Sequence, residues 1–103
     1  MKKVYKYVLP MYDYVAIELP QGAKILKVDT QESIPCIWAL VDPDALLEMR
    51  KFRVVGTGHP IEEKGLEFIG TFQMYGGELV FHLFEQTLHF FDRVWKDGMG
   101  EGG

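Results

Sequence analysis

The chain has 103 residues, of which 48% are hydrophobic and 14% aromatic, so it is long enough to bury one core and too short for two. This composition excludes a wholly disordered chain. The formal net charge of −4 argues against general nucleic-acid binding, because proteins that bind nucleic acids nonspecifically present a basic face to the phosphates.

The N-terminal residues carry neither a secretion signal nor a membrane segment. Tyr, Lys and Val alternate after Met1, and no apolar run approaches the length needed to span a bilayer. We therefore expect a cytoplasmic protein that does not bind membranes. The single cysteine, Cys36, lies in an apolar run and predicts a small buried side chain rather than a reactive thiol.

Alternation of apolar and polar residues dominates the chain and predicts six or seven short strands. In chain order the candidate strands cover residues 4–9, 14–19, 24–30, 36–41, 48–55, 66–74 and 79–84. Residues 36–41 are apolar on both faces, which favours a position in the middle of a sheet. We expect the first two strands to form a hairpin, and the last two to form another through Gly76-Gly77. The large apolar side chains of these strands predict a common core: Trp38, Phe52, Val54, Phe68, Phe72, Phe81 and Leu83.

The period changes after Glu85, where apolar residues recur at the spacing of one helical face. This spacing predicts a helix over about Gln86–Lys96, followed by a flexible tail over residues 98–103. The predicted fold is a mainly β single domain over residues 1–97. It is a small antiparallel β-sandwich or partly open barrel of six to seven strands, with this one C-terminal helix.

Six short segments carry a resemblance to a known family: Lys6–Tyr7, Leu19–Ala23, Trp38–Pro43, Val54–His59, Ile69–Thr71 and Leu79–Phe84. Over about residues 3–85 the chain resembles a family of small uncharacterised proteins of bacteriophages and prophages. The resemblance implies a phage or prophage origin, a location in the host cytoplasm and a shared fold. It implies no reaction, and the predicted helix lies beyond the common pattern.

The segment Gly56-Thr57-Gly58-His59 is the candidate binding site. Its glycines let backbone amides face one point, while the Thr and His side chains add hydrogen-bond donors. Arg53, three residues earlier, reaches the same rim if the strand curves. These residues predict a site for a phosphate-bearing ligand bound by Arg53, Thr57, Gly58 and His59. The alternative is that the glycines only permit a turn out of a strand.

Enzymatic activity is the class that the sequence supports least. His59 has no acid partner visible in the sequence, and no two histidines have the spacing of a helical metal pair. We therefore predict no catalytic residues, no metal and no cofactor. A metal site built from the distant His59, His82 and a carboxylate is the alternative.

Two functions remain open. The first is a binding module that captures a small phosphate-bearing or nucleotide ligand, including a signal used in host defence. The second is a structural or assembly protein that contacts other phage components. A pocket lined by Arg53, Thr57, His59 and tyrosines favours the first function, and a flat apolar surface without a pocket favours the second. The tyrosines near the first hairpin are either part of a binding surface or a cover of the core: Tyr5, Tyr7, Tyr12 and Tyr14. The width of the apolar surface of the predicted helix, where Phe90 points away from Phe91, also predicts a homodimer formed through that helix.

Overall fold

The structure is a computed structural model that describes residues 1–87. These residues form seven strands: β1 (Lys3–Val8), β2 (Tyr14–Pro20), β3 (Lys24–Gln31), β4 (Ile34–Val41), β5 (Leu47–Gly56), β6 (Leu66–Met74) and β7 (Leu79–Gln86). A short 3₁₀ turn over Tyr75–Gly77 joins β6 to β7. The strand positions predicted from the alternation are confirmed.

The strands form two antiparallel sheets, a three-stranded sheet in the order β1-β4-β3 and a four-stranded sheet in the order β2-β5-β7-β6. The central position of β4 and the β6–β7 hairpin are therefore as predicted. The predicted hairpin of β1 with β2 is wrong, because these strands lie in different sheets. The Leu9 amide donates to the Pro35 carbonyl at 2.9 Å, and the Asp13 carbonyl accepts from the Val54 amide at 3.0 Å. The connection between them thus carries the chain from one sheet to the other.

The core lies between the inner faces of the two sheets. Phe52, Val54, Phe72 and Leu83 are buried as predicted, and Phe81 packs partly buried against them. Cys36 is also buried, as its apolar run indicated. Trp38 is only half-buried, since it pairs with Lys6 and Lys27 on the outer face of the three-stranded sheet.

Phe68 does not belong to the core, although the alternation of β6 placed it there. It is 57% exposed. A bulge shifts the register between Phe68 and Gly70, so that Phe68 lies opposite Phe84 while Phe72 lies opposite Phe81. One extra residue in a strand moves every earlier side chain to the other face. Phe68 therefore contacts Phe84 on the outer face, with 5.5 Å between the ring centroids.

The edge strands β3 and β6 pack against each other without ladder hydrogen bonds and bring the two sheets together along one side. Gly70 permits this approach, because a Cβ atom there would lie 2.8 Å from Cγ1 of Val28. The described part of the chain is thus a β-sandwich with one tightly packed side.

The predicted fold class is wrong in one respect, the C-terminal helix. Residues 1–87 contain no α-helix, and Gln86, where the helix was expected to begin, is the last residue of β7 and pairs with Leu66. Its buried side chain donates to the Lys64 carbonyl at 3.0 Å. Phe84 fits the first position of the predicted helical face, but it is a strand residue of β7 that packs on Phe68. Residues 88–103, with the rest of the predicted helix, the tail and the helix-mediated dimer contact, lie outside the described residues.

No helix within residues 1–87 has the length and apolar character that a membrane crossing requires.

Candidate functional site

A pocket of about 250 Å³ opens at one end of the sandwich and is called here the mouth pocket. Val54 and Phe81 contribute to it from the inner faces of β5 and β7. Because both side chains lie on the inner face of the four-stranded sheet, the pocket reaches toward the core rather than lying on a flat surface. Open ends of small β-structures are common places for ligand sites.

Two separate loops contribute aromatic side chains to the mouth pocket. Tyr12 comes from the β1–β2 connection, beside Met11 and Asp13, and Tyr75 comes from the 3₁₀ turn before β7. Tyr12 is 72% exposed and Tyr75 is 68% exposed. Exposed tyrosines combine a large apolar ring with a polar tip, which suits recognition of a planar group.

Local hydrogen bonds and an unusual backbone conformation hold these two loops. The Tyr12 amide donates to the Pro10 carbonyl at 3.0 Å, and the Asp13 carbonyl fastens the same loop to Val54 of β5. Tyr75 has a φ of +54°, a left-handed conformation that costs a bulky residue about 1 to 2 kcal/mol. Gly76 and Gly77 follow it with φ of +66° and +97°. The turn therefore keeps a large aromatic residue where a glycine would be less strained.

The predicted site segment Gly56–His59 forms the turn that ends β5, and only part of it faces the mouth pocket. Gly56 and His59 line the pocket. The Thr57 amide donates to the Val80 carbonyl at 3.2 Å, and the His59 amide donates to the Gly56 carbonyl at 3.1 Å. Gly58 has a φ of +89°, which explains the need for a glycine. Since two of the amides are used within the protein, the turn is a poorer anion cradle than its sequence indicates.

The Thr57 side chain takes part in a hydrogen-bonded row on the outer face of the four-stranded sheet. Its Oγ1 lies 2.8 Å from His82 Nε2, and Thr71 Oγ1 lies 2.9 Å from His82 Nδ1. Thr57 Oγ1 also lies 3.3 Å from the Val80 carbonyl. Both ring nitrogens of His82 are thus held by threonine hydroxyls. This row fastens the turn to β6 and β7.

Arg53 also lies on the outer face, away from the Gly56–His59 turn. Its Nε donates to Glu63 Oε1 at 2.8 Å and its Nη1 donates to the Val54 carbonyl at 2.8 Å. The guanidinium stacks on the Tyr14 ring at 4.7 Å from the centroid, and the Tyr14 hydroxyl donates to Glu63 at 2.8 Å. Arg53 therefore holds the loop that contains Glu63 and does not converge with Thr57 and His59.

Burial and hydrogen bonding act in opposite directions on Glu63. Desolvation by burial raises the pKa of its carboxyl group, but the hydrogen bonds from Arg53 and Tyr14 outweigh that effect and leave the pKa below its usual value of 4.5. Glu63 is thus a charged, well-satisfied anchor of the loop.

A second pocket, of about 430 Å³, contains the paired side chains of Arg50 and Glu85. Arg50 forms a two-pronged ion pair with Glu85, with Nη2 at 2.9 Å from Oε1, and its Nη1 donates to the Ala23 carbonyl at 2.7 Å. The hydrogen bond with Glu85 is the main reason that the pKa of Arg50 is raised. Each charge satisfies the other, and the pair joins the neighbouring strands β5 and β7 of the four-stranded sheet. The hydrogen bond from Arg50 to Ala23 also ties β5 to the turn that precedes β3 of the other sheet.

The alternative metal site of His59 and His82 does not form in the part of the chain described here. His59 lines the mouth pocket, whereas His82 is held between two threonines on the outer face. Within residues 1–87, no group of three or more His, Cys, Asp or Glu side chains converges on one point.

Comparison with known proteins gives one match. The model of a family described as a domain of unknown function, DUF7352, matches residues 1–90. No curated protein and no solved structure matches the chain. The matched span contains all seven described strands and each described residue that lines the mouth pocket. The resemblance to a family of uncharacterised proteins is confirmed at this level, and the chain belongs to the DUF7352 family.

Proposed function

We propose that the protein is a non-enzymatic binding module that holds a small nucleotide ligand with its base in the mouth pocket. The observation that carries this proposal is the pair of exposed aromatic side chains, Tyr12 and Tyr75, beside an opening that reaches Val54 and Phe81. The resemblance to bacteriophage and prophage proteins supports an accessory role in the host cytoplasm, where a nucleotide signal of host defence is a suitable ligand.

The size and lining of the pocket favour a single ring system. Pockets for whole drug-sized ligands measure roughly 300 to 1,000 Å³, so about 250 Å³ accommodates a base and leaves the sugar and phosphate outside. Stacking of a base on an aromatic side chain contributes about 1 to 3 kcal/mol. A contact between the Tyr75 ring and the ligand would account for the strained left-handed backbone at this residue.

The predicted ligand residues have different parts in this proposal. His59 lines the pocket beside Gly56, and Gly58 lies next to it at the turn. Both remain candidates for contacts to the sugar or phosphate. Thr57 holds the turn through its contact with His82, and Arg53 holds the following loop through Glu63. In this proposal both residues position the site and do not contact the ligand.

Calorimetric titration with the common nucleoside monophosphates tests the proposal. We expect one or more to bind, and we expect Tyr12→Ala and Tyr75→Ala each to weaken binding at least tenfold. Tyr5→Ala is the matched control, because Tyr5 is a partly exposed tyrosine on β1 that does not line the pocket. Unchanged affinity in both pocket variants contradicts the proposal, as does the absence of binding by the native chain at millimolar concentration.

The outer face of the three-stranded sheet favours a second candidate, the structural or assembly protein. Trp38 lies between Lys6 and Lys27 across the sheet, while Val4 and Val8 of the edge strand are 54% and 59% exposed. Lys27 pairs with Asp29 at 3.2 Å and Lys6 donates to Gln31 at 2.6 Å, so this face has an apolar centre with a polar rim, which suits the surface of another phage component.

Chemical crosslinking in infected cells, followed by mass spectrometry, tests this second candidate. It predicts crosslinks from Lys6 and Lys27 to one phage protein, lost in Val8→Asp and retained in Tyr12→Ala. Crosslinks that are the same in Val8→Asp and in the native chain rule it out.

A further inference from the structure

We infer that the mouth pocket selects bases whose edge donates two parallel N–H hydrogen bonds, as guanine does, and that Asp13 is the residue that selects them. This inference rests on the proposed function and adds the ligand class. The observation behind it is that Asp13 is the one carboxylate among the described residues that line the pocket.

Asp13 has a fixed backbone and an exposed side chain at the rim of the mouth pocket. Its carbonyl accepts the Val54 amide at 3.0 Å, and it lies between Tyr12 of the pocket and Tyr14, the first residue of β2. No hydrogen bond or ion pair joins its carboxylate to any group in residues 1–87. Asp29 and Asp42, by contrast, accept hydrogen bonds from nearby backbone amides.

The charges around the pocket set what can approach Asp13. No lysine or arginine is among the described residues that line it, and His59 is the one titratable base there. Arg53 is held by Glu63 on the other face of the sheet. A carboxylate without a neighbouring cation attracts hydrogen-bond donors and repels phosphate. The ligand therefore has to present donors to Asp13 and keep its phosphate away from this side.

A carboxylate has two oxygens that accept two parallel N–H groups at once. The guanine edge offers this pair, from its ring N–H and its exocyclic amino group. Adenine offers one amino group next to a ring acceptor, and uracil offers one N–H between two carbonyls. A hydrogen bond to a charged group stabilises by enough for about a 10- to 100-fold difference in affinity. Guanine is thus the base that satisfies Asp13 best.

Titration of guanosine, inosine and adenosine into three chains tests the inference: the native protein, Asp13→Asn and the matched control Asp44→Asn. Inosine lacks the exocyclic amino group and keeps the ring N–H. We expect the native chain to bind guanosine about 10- to 100-fold more tightly than adenosine, with inosine between them. Asp13→Asn should bring guanosine near the adenosine value while leaving adenosine unchanged. Asp44→Asn, an exposed carboxylate outside the pocket, should behave as native.

The results separate this inference from the proposed function. If the native chain binds guanosine and adenosine equally, or if Asp13→Asn keeps the preference, the inference is wrong. The proposed function then survives provided that Tyr12→Ala still weakens binding. If no nucleoside or nucleotide binds the native chain, both are wrong. A thermal unfolding midpoint of Asp13→Asn equal to that of the native chain shows that the fold is intact and that its binding result counts.

Discussion

Replacing Gly70 by alanine tests the close packing of β3 on β6. The added methyl group would lie 2.8 Å from Cγ1 of Val28, whereas ordinary contacts begin at 3.4 Å, so the two strands would have to move apart by about 0.6 Å. Val28 is 6% exposed, and its branched side chain has few alternative rotamers. Overpacking of this kind costs about 1 to 3 kcal/mol. We expect Gly70→Ala to lose about 2 kcal/mol of a total stability of about 5 to 15 kcal/mol.

Urea denaturation followed by far-ultraviolet circular dichroism measures this loss, and a double-mutant cycle assigns it to the contact. Val28→Ala removes the clashing methyl groups. Gly70→Ala should therefore cost at least about 1 kcal/mol less in the Val28→Ala background than in the native chain. The reasoning fails if Gly70→Ala changes the free energy of unfolding by less than about 0.5 kcal/mol. It also fails if the cost is the same in both backgrounds.

Two charged pairs give further predictions. Because the pKa of Glu63 is lowered in the folded state, its contribution to stability is complete above pH 4.5 and is lost as the pH falls through the lowered value. Glu63→Gln should therefore be less stable than native at pH 7 by about 1 to 3 kcal/mol, with a smaller difference at about pH 3 in urea titrations. Arg50→Met leaves Glu85 without its partner and should cost about 3 kcal/mol. Adding Glu85→Leu should recover most of that loss, because it removes the unpaired charge. A double variant less stable than Arg50→Met would contradict the pairing of Arg50 with Glu85.

The sequence predicted the strands well because alternation reports directly on a two-sided sheet. It also located the central strand β4, whose residues are apolar on both faces. Alternation does not say which strand lies beside which, and the partner of β1 was therefore misplaced. The proline-containing connection from Leu9 to Asp13 takes the chain to the other sheet.

The remaining errors have local causes that a periodic pattern does not record. The bulge before Gly70 turns Phe68 outward. An isolated glycine inside a strand pattern is a signal for such a bulge, but the alternation alone does not register it. Phe84 fits both the alternation of a strand and the spacing of a helical face, so the spacing predicted a helix starting at Gln86, which is the last residue of β7. At the mouth pocket, the lining includes His59 of the predicted site and Tyr12 of the tyrosines near the start of the chain, but not Arg53 or Thr57. Tyr75 was missed, although a large residue followed by two glycines is a usable signal for a strained turn.

The central claim is that a ligand occupies the mouth pocket, and chemical-shift mapping of the ¹⁵N-labelled chain during titration with guanosine monophosphate tests it most directly. The largest amide shifts should cluster at three segments that border the pocket: residues 11–13, 56–59 and 75–79. These shifts should saturate together with one dissociation constant. Shifts centred on Trp38 or on the Arg50–Glu85 pair, or no saturable shift at any of the three segments, would contradict it.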